Sequence, residues 1–273
     1  ENKVQERTEQ LAIKNSELAE KNKNITDSIR YAKYIQDAML PKEEMLKKHL
    51  RNYFILFKPK DIVSGDFYWL KHHANHVYIA AVDCTGHGVP GAFLSIEASN
   101  LLSTAFNADD TKTPATILSK LDKLVEQTLH HKTDDIEIRD GMDISLCKIN
   151  FDALTVEYAG AFNSIYLLRD NKLVEYNADN LFIGNNDENL PYTNQCFKIE
   201  KGDILYLFSD GFADQFGGDK GKKYKYRQLQ QLLVKNNTRS MDAQKEALEQ
   251  EFEHWRGNIE QIDDILIIGI KIG

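Results

Sequence analysis

Four short acidic patterns stand at the ends of apolar, strand-like runs: Ser64-Gly65-Asp66-Phe67, Ala81-Val82-Asp83-Cys84-Thr85-Gly86-His87-Gly88, Phe208-Ser209-Asp210-Gly211 and Ile262-Asp263-Asp264-Ile265. Oxygen donors of this kind suit hard divalent cations such as Mg²⁺ and Mn²⁺, and a pair of such ions can activate a water for in-line attack on phosphorus. Taken singly, each pattern is ordinary turn chemistry, because Asp bonds its own backbone and Gly supplies positive φ. Their setting differs from that of a solvated turn. Leu207 and Phe208 lead directly into Ser209-Asp210, and the run from Val77 to Ala81 leads into Val82-Asp83, which puts carboxylates at the edge of a core. Burial there is costly unless something neutralises the charge, and no regular set of Lys or Arg accompanies these positions. Gly86, Gly88 and Gly91 could instead cradle a phosphate, but they lack the dinucleotide spacing and the Lys-Ser/Thr of a P-loop. Letting a backbone carbonyl approach a cation is the more economical use of them.

Strand-like runs fall at about 53–58, 62–70, 76–83, 142–150, 154–159, 164–169, 203–209 and 264–271. Helical spacing covers about 89–106, 114–130 with Thr113-Pro114 as its start, 226–236 and 240–255. Short turns between consecutive strands predict antiparallel pairing, and helices grouped between strand clusters predict layers covering the sheets. The fold class is therefore α+β, a layered sandwich.

The first forty residues differ in kind. Val4, Leu11, Leu18, Ile25, Ala32 and Met39 recur every seven positions, with no Gly or Pro before Pro41. This heptad predicts a coiled coil, and the polar alternate positions Asn15, Asn22 and Gln36 predict that it pairs weakly. We expect a homodimer through residues 1–40 and a helix of some 60 Å at about 1.5 Å per residue. Ile29, Ala32, Ile35 and Met39 give its C-terminal part an apolar face towards the rest of the chain.

Bulk composition narrows the class. A formal net charge of -8 and a pI near 5.5, without a basic stripe, argue against a nucleic-acid partner. Three cysteines, Cys84, Cys147 and Cys196, show no CxxC pairing, which favours a reducing, cytoplasmic setting over a disulfide scaffold. No apolar run reaches the roughly 18 residues needed to cross a bilayer. The chain opens on Glu1, which we take as the start of an excised piece whose upstream sensor, membrane-attached or not, lies outside it.

Read together, Ile62-Val63-Ser64-Gly65-Asp66-Phe67-Tyr68-Trp69, Asp83-Cys84-Thr85-Gly86-His87-Gly88-Val89-Pro90-Gly91-Ala92, Asp140-Gly141-Met142-Asp143, Ser209-Asp210-Gly211 and Asp263-Asp264 resemble the SpoIIE/RsbU branch of the metal-dependent type 2C (PPM) serine/threonine protein phosphatases, over about Phe54 to Ile272. The resemblance implies a four-layer α-β-β-α sandwich of two antiparallel sheets flanked by helices, preceded here by the long N-terminal helix. It divides the chain into a helical linker, 1–48, and a phosphatase domain, 49–273.

It also implies two Mn²⁺ or Mg²⁺ ions and a metal-activated water as nucleophile towards phosphoserine or phosphothreonine. Asp83 would bridge both ions, Asp66 and the Cys84 carbonyl would serve one, and Asp210 and Asp263 the other. Asp264, Asp143 and His87 would lie around this set, as supporting residues or part of a weaker third-metal site with Asp140. Lys58 and Lys60, near the start of the site, are the candidates for holding phosphate. The His that follows the bridging Asp in the wider family has no counterpart at the same spacing, since His87 lies further on. The Gly-rich, basic segment Gly211–Lys225 is the candidate for substrate choice. The implied partner is a phosphorylated bacterial signalling protein of the anti-sigma-factor-antagonist kind, and the implied regulation runs through the helical linker. Two other classes stay open at this point: an inactive interaction module of the same fold, and a metallohydrolase of small phosphoesters.

Overall fold

The computed structural model describes residues 2–129, 140–184 and 190–273. In chain order the elements are α1 (Asn2–Met39), α2 (Glu43–His49), β1 (Tyr53–Lys58), β2 (Phe67–His73), β3 (His76–Cys84), α3 (Gly88–Ala108), α4 (Pro114–Leu129), β4 (Met142–Asn150), β5 (Thr155–Ala161), β6 (Ile165–Arg169), β7 (Lys172–Tyr176), β8 (Gln195–Lys198), β9 (Ile204–Phe208), α5 (Gly211–Asp214), β10 (Phe216–Gly217), β11 (Lys222–Lys223), α6 (Tyr226–Asn236), α7 (Met241–Arg256) and β12 (Ile265–Lys271). Two five-stranded sheets run β1-β12-β9-β6-β7 and β2-β3-β4-β5-β8, and β10 and β11 form a separate hairpin. Every pairing between neighbours is antiparallel.

Alternation along the strands builds the layers. In β3, Tyr78, Ala80 and Val82 face α3 and α4, whereas Val77, Ile79 and Ala81 face the other sheet. In β12, Leu266, Ile268 and Ile270 face the second sheet, whereas Ile265 and Ile267 face α6 and α7. Three apolar layers result, one between the sheets and one under each helical pair, as a four-layer α-β-β-α sandwich requires. Central strands buried on both faces read as continuous apolar runs, which is why they are visible in sequence.

The expected strand over 62–70 begins only at Phe67. Its first part is a loop whose backbone donors go to side chains, Ser64 N–H to Gln36 Oε1 and Gly65 N–H to Asp264 Oδ2, instead of to a strand. Edge strands β7 and β8 and helix α2 have no counterpart in the sequence reading, because they are short and half polar. The end expected for α4, at 130, lies outside the described residues.

Helix α1 projects from the sandwich. Leu11, Leu18 and Ile25 are 56–60% exposed, and burial begins only near its C-terminal end, where Gln36 is 2% exposed and Met39 packs on the core beneath α3. Leu46 of α2 and Leu50 beyond it are buried in the layer between the sheets. Among the described residues no helix is long and apolar enough to cross a membrane.

Candidate metal centre at the mouth of the sandwich

At one end of the layer between the sheets the apolar side chains give way to carboxylates. Asp83 and Asp143 are directly opposed residues of β3 and β4. Asp66 lies one residue before the Phe67–Val82 pair, so it falls beside Asp83 on the adjoining strand. Period-two alternation turns all three towards the other sheet, in line with Leu70, Ala81 and Cys147. Like charges directly opposed across strands are destabilising, so the fold keeps this triplet against its own preference.

The facing sheet supplies the rest. Asp210 follows β9 at the start of α5, and Asp263 and Asp264 immediately precede β12. Ser209 Oγ donates to Asp66 Oδ2 at 2.5 Å, joining the sheets across the mouth. Asp264 is committed to backbone: Oδ1 accepts from Lys60 N–H and Oδ2 from Gly65 N–H, both at 2.7 Å. A Cβ at residue 211 would fall 1.9 Å from the Asp264 carbonyl oxygen, so only Gly lets Asp210 lie this close to β12. Likewise, a Cβ at residue 65 would fall 2.5 Å from the Gly86 carbonyl oxygen and 3.1 Å from that of Cys84. The two glycine motifs thus bring the Asp66 loop onto the backbone oxygens that follow Asp83. The Cys84 side chain itself lies in the core under α3, where burial raises its thiol pKa.

The electrostatics follow from crowding. Burial, then the charges of neighbouring aspartates, raise Asp66 and Asp83 well above the ordinary carboxylate range. Burial and Asp210 push Asp143 up to about 7. Burial and Asp263 push Asp210 up to about 6, with Lys223 partly opposing. Among the described residues none of these four carboxylates has a salt-bridge partner. Asp143 Oδ1 and Ser145 Oγ, two residues apart on the same face of β4, are buried without a hydrogen-bond partner. An all-oxygen donor set with orphaned buried oxygens fits a hard divalent cation. Among the described residues no three His, Cys, Asp or Glu stand close enough together to hold one ion by themselves.

The remaining sequence candidates are placed as follows. His87 Nδ1 lies 2.9 Å from Asp61 Oδ2 and its Nε2 lies 2.8 Å from Lys60 Nζ, so it is held between an acid and an ammonium group. Since an ammonium only donates, this arrangement suits a neutral ring with its proton on Nδ1. Lys58 is carried to α7 instead, where Nζ pairs with Glu253 at 2.7 Å. The residue pair Asp140-Gly141 extends the β3–β4 pairing, with Thr85 Oγ1 and N–H both donating to the Gly141 carbonyl.

Two participants go beyond their sequence roles, Gln36 as a polar heptad position and Lys223 as one residue of the segment 211–225 expected to govern substrate choice. Gln36 grips the Asp66 loop from α1: Nε2 donates to the Ser64 carbonyl (2.6 Å) and to Ser95 Oγ (2.8 Å), while Oε1 accepts from Ser64 N–H (3.0 Å). Lys223, on β11, pairs with Asp214 Oδ2 at 2.6 Å, one helical turn beyond Asp210. Its hairpin is fixed by buried Gln215, which donates to the Phe216 and Glu260 carbonyls and accepts from Ile262 N–H beside Asp263. A hairpin so docked has a defined position beside the carboxylates, which a plain surface loop would lack.

Two antiparallel sheets between helical layers, with an acidic mouth, define a type 2C phosphatase fold. A family model described as stage II sporulation protein E (SpoIIE) matches residues 73–273, and the chain belongs to that family of serine/threonine phosphatases, which are hydrolases. It is 31% identical to the SiaA-PP2C domain of Pseudomonas aeruginosa, covering 92% of this chain and 98% of that one with a TM-score of 0.84. It is 25% identical over 201 residues to the phosphoserine phosphatase RsbU of Bacillus subtilis (strain 168), covering 70% of this chain. The match spans 54% of RsbU, about half its length. A solved structure of the SpoIIE phosphatase domain with part of its regulatory domain, from Bacillus subtilis, shares the fold at 20% identity, with 81% of this chain and 63% of that one covered and a TM-score of 0.63.

Proposed function

We propose that this chain removes phosphate from phosphoserine or phosphothreonine of a regulatory protein, with two Mn²⁺ or Mg²⁺ ions held at the acidic mouth. The observation that carries this is the convergence of Asp66, Asp83, Asp143, Asp210 and Asp263 from two sheets on one cleft, the first four with raised pKa values and, among the described residues, without a salt bridge. When bound, such ions supply an acidified water for in-line attack at phosphorus and offset charge on the phosphoryl oxygens.

Asp83, central in its triplet, would serve both ions. Asp66 and the Cys84 carbonyl would complete one position, and Asp210 and Asp263 the other. Asp264 acts as a strut, since its oxygens are already taken by backbone N–H groups. His87 orients Lys60 and Asp61 at the rim, which leaves no free Nε2 proton to donate.

Lys223 replaces Lys58 as the cation best placed to hold a phosphoryl oxygen, because it reaches over α5 from a docked hairpin. Removing a charge-assisted contact costs roughly 1.5–3 kcal/mol. Lys223→Gln is therefore expected to lower kcat/KM by about tenfold or more and weaken product inhibition by phosphate, with Lys222→Gln as control. Equal effects at both positions would sink this assignment.

The chain divides, in this proposal, into a linker of residues 1–48 that pairs with a second copy through Leu11, Leu18 and Ile25, and a catalytic domain of residues 49–273. The partner most consistent with similarity to RsbU is a phosphorylated protein of the anti-sigma-factor-antagonist kind. The function is tested by hydrolysis of a phosphoserine protein or peptide, an aryl phosphate and a nucleotide, each with Mn²⁺ and with chelator. Metal-dependent turnover favouring the phosphopeptide is expected. A preference for the nucleotide would point to a small-phosphoester hydrolase, and metal binding without turnover of any substrate would point to an interaction module.

A further inference from the structure

Phe162 combines three features that a fold does not select for. It is 51% exposed, it is aromatic, and its backbone is left-handed with φ of +55°. Among the described non-glycine residues in that region it is the only aromatic, and Asn, Gly or Asp would adopt the conformation more easily. The turn itself is well determined: Phe162 N–H donates to the Asp179 carbonyl at 3.0 Å, and Tyr158 Oη donates to the Asn163 carbonyl at 2.7 Å. These bonds fix the backbone and are indifferent to the side chain.

The position of that side chain is what the fold determines. Phe162 immediately follows the last residue of β5, Ala161, which pairs with Ile144, the neighbour of Asp143 on β4. Its ring lies 6.5 Å, centroid to centroid, from that of Phe182. Phe182 in turn lies on Gly141, where a Cβ would fall 2.3 Å from its Cε1. Two phenyl rings thus form a step beside Gly141, two residues before Asp143 in the chain, and the outer one is half exposed to solvent. Strained residues held by their surroundings cluster where a ligand is handled.

We propose that Phe162 and Phe182 form a shelf for an apolar side chain adjacent to the phosphorylated residue, which makes Phe162 a specificity-determining residue. This rests on the phosphatase function proposed above. A substrate whose phosphate met cations held by Asp83 and its neighbours would have a residue next to the phosphoserine within reach of this step, and an aliphatic side chain there leaves water for two rings. Differences of a few methylenes in such a contact are worth about 10- to 200-fold in discrimination.

The experiment compares phosphoserine peptides that differ only in Leu or Ser on either side of the phosphoserine, using Mn²⁺, the unaltered chain, Phe162→Asn and Phe162→Gly. The Leu peptides are expected to have a kcat/KM about tenfold higher, mainly through KM. Both variants should bring the two kinds of peptide to within about twofold while leaving the Ser peptides unchanged. Because Gly and Asn relax the left-handed position, thermal melting should hold or rise by a few degrees. Preference retained in both variants, or no preference in the unaltered chain, overturns the shelf alone. Losses equal on both peptides with a lowered melting temperature show a merely structural residue. Failure of the unaltered chain to hydrolyse any peptide overturns the phosphatase function and the shelf with it.

Discussion

Replacing Asp83 by Asn is expected to stop turnover and, in chelator, to raise the melting temperature. The two effects share one cause. Asp83 is buried among Asp66, Asp210, Asp263 and Asp143, and its charged form is disfavoured first by desolvation and then by each of them. The amide keeps the shape and hydrogen-bonding reach of the carboxylate but removes the charge that repels its neighbours and would hold cations. A loss of about 10²- to 10³-fold or more in kcat is expected, the scale on which single groups stabilising transition-state charge act. Asp210→Asn should behave alike. Phosphopeptide turnover together with melts in EDTA and in Mn²⁺ checks both halves, and a variant that keeps its activity would remove Asp83 from the centre of the site.

The same repulsion gives the metal-free fold an unusual pH dependence. A carboxylate whose folded pKa lies above its unfolded value binds its proton more tightly when folded, so stability falls as pH rises between the two values. For Asp210 that window runs from the ordinary value of 3.8 to about 6, and for Asp143 to about 7. At about 1.4 kcal/mol per pKa unit, Asp210 alone contributes on the order of 3 kcal/mol. Melting in chelator should therefore be several degrees higher at pH 5 than at pH 8. Divalent ions should reverse the trend, stabilising more as pH rises and protons compete less for the carboxylates. A chelated protein that is more stable at pH 8 than at pH 5 would contradict the electrostatic account of the mouth.

What the sequence disclosed of this site depended on how local the signal was. Asp66, Asp83, Asp210 and Asp264 each end or adjoin an apolar run, and the first three have a Gly within three positions. The facing of Asp83 and Asp143 is different in kind, since it depends on a β3–β4 register set across an intervening pair of helices. Lys58 and Lys60 are near neighbours in sequence, yet their ammonium groups go to Glu253 and His87 respectively, a divergence set by tertiary packing. Strands β7 and β8 escaped notice because edge strands have one solvated side and need no apolar run. Gln36 was the least legible. In a heptad it is only a poor core residue, and its partners are a backbone N–H and carbonyl 28 positions away.

Gln36→Ala is expected to lower kcat by about 10- to 100-fold without unfolding the domain. Its side chain holds both backbone polar groups of Ser64, and Ser95 of α3 closes the triangle by donating to the same Ser64 carbonyl at 3.2 Å. From there the chain of contacts to the site is short: Asp66 N–H donates to Ser64 Oγ, and Asp66 Oδ2 accepts from Ser209 on the other sheet. Truncation leaves the buried Ser64 N–H unmet, at about 1–3 kcal/mol, and its carbonyl held by Ser95 alone, so melting should drop by a few degrees while the core persists. The larger consequence is positional, because the Asp66 loop loses what fixes it against α3, and apparent metal affinity should fall with kcat. Gln36→Glu separates packing from bonding: it is close in size and still accepts from Ser64 N–H, but it cannot donate to the carbonyl. It should therefore resemble the Ala variant in turnover. Ile25 lies three helical turns before Gln36 on the same rod, so pairing through the exposed seam would set the rotation and height at which Gln36 meets the loop. Deleting residues 1–30 should then change both oligomeric state, read by light scattering, and turnover. Unchanged values of both would show that α1 holds the loop without conveying anything to it, whereas loss of pairing with lowered turnover would make Gln36 the point where the linker acts on the metal centre.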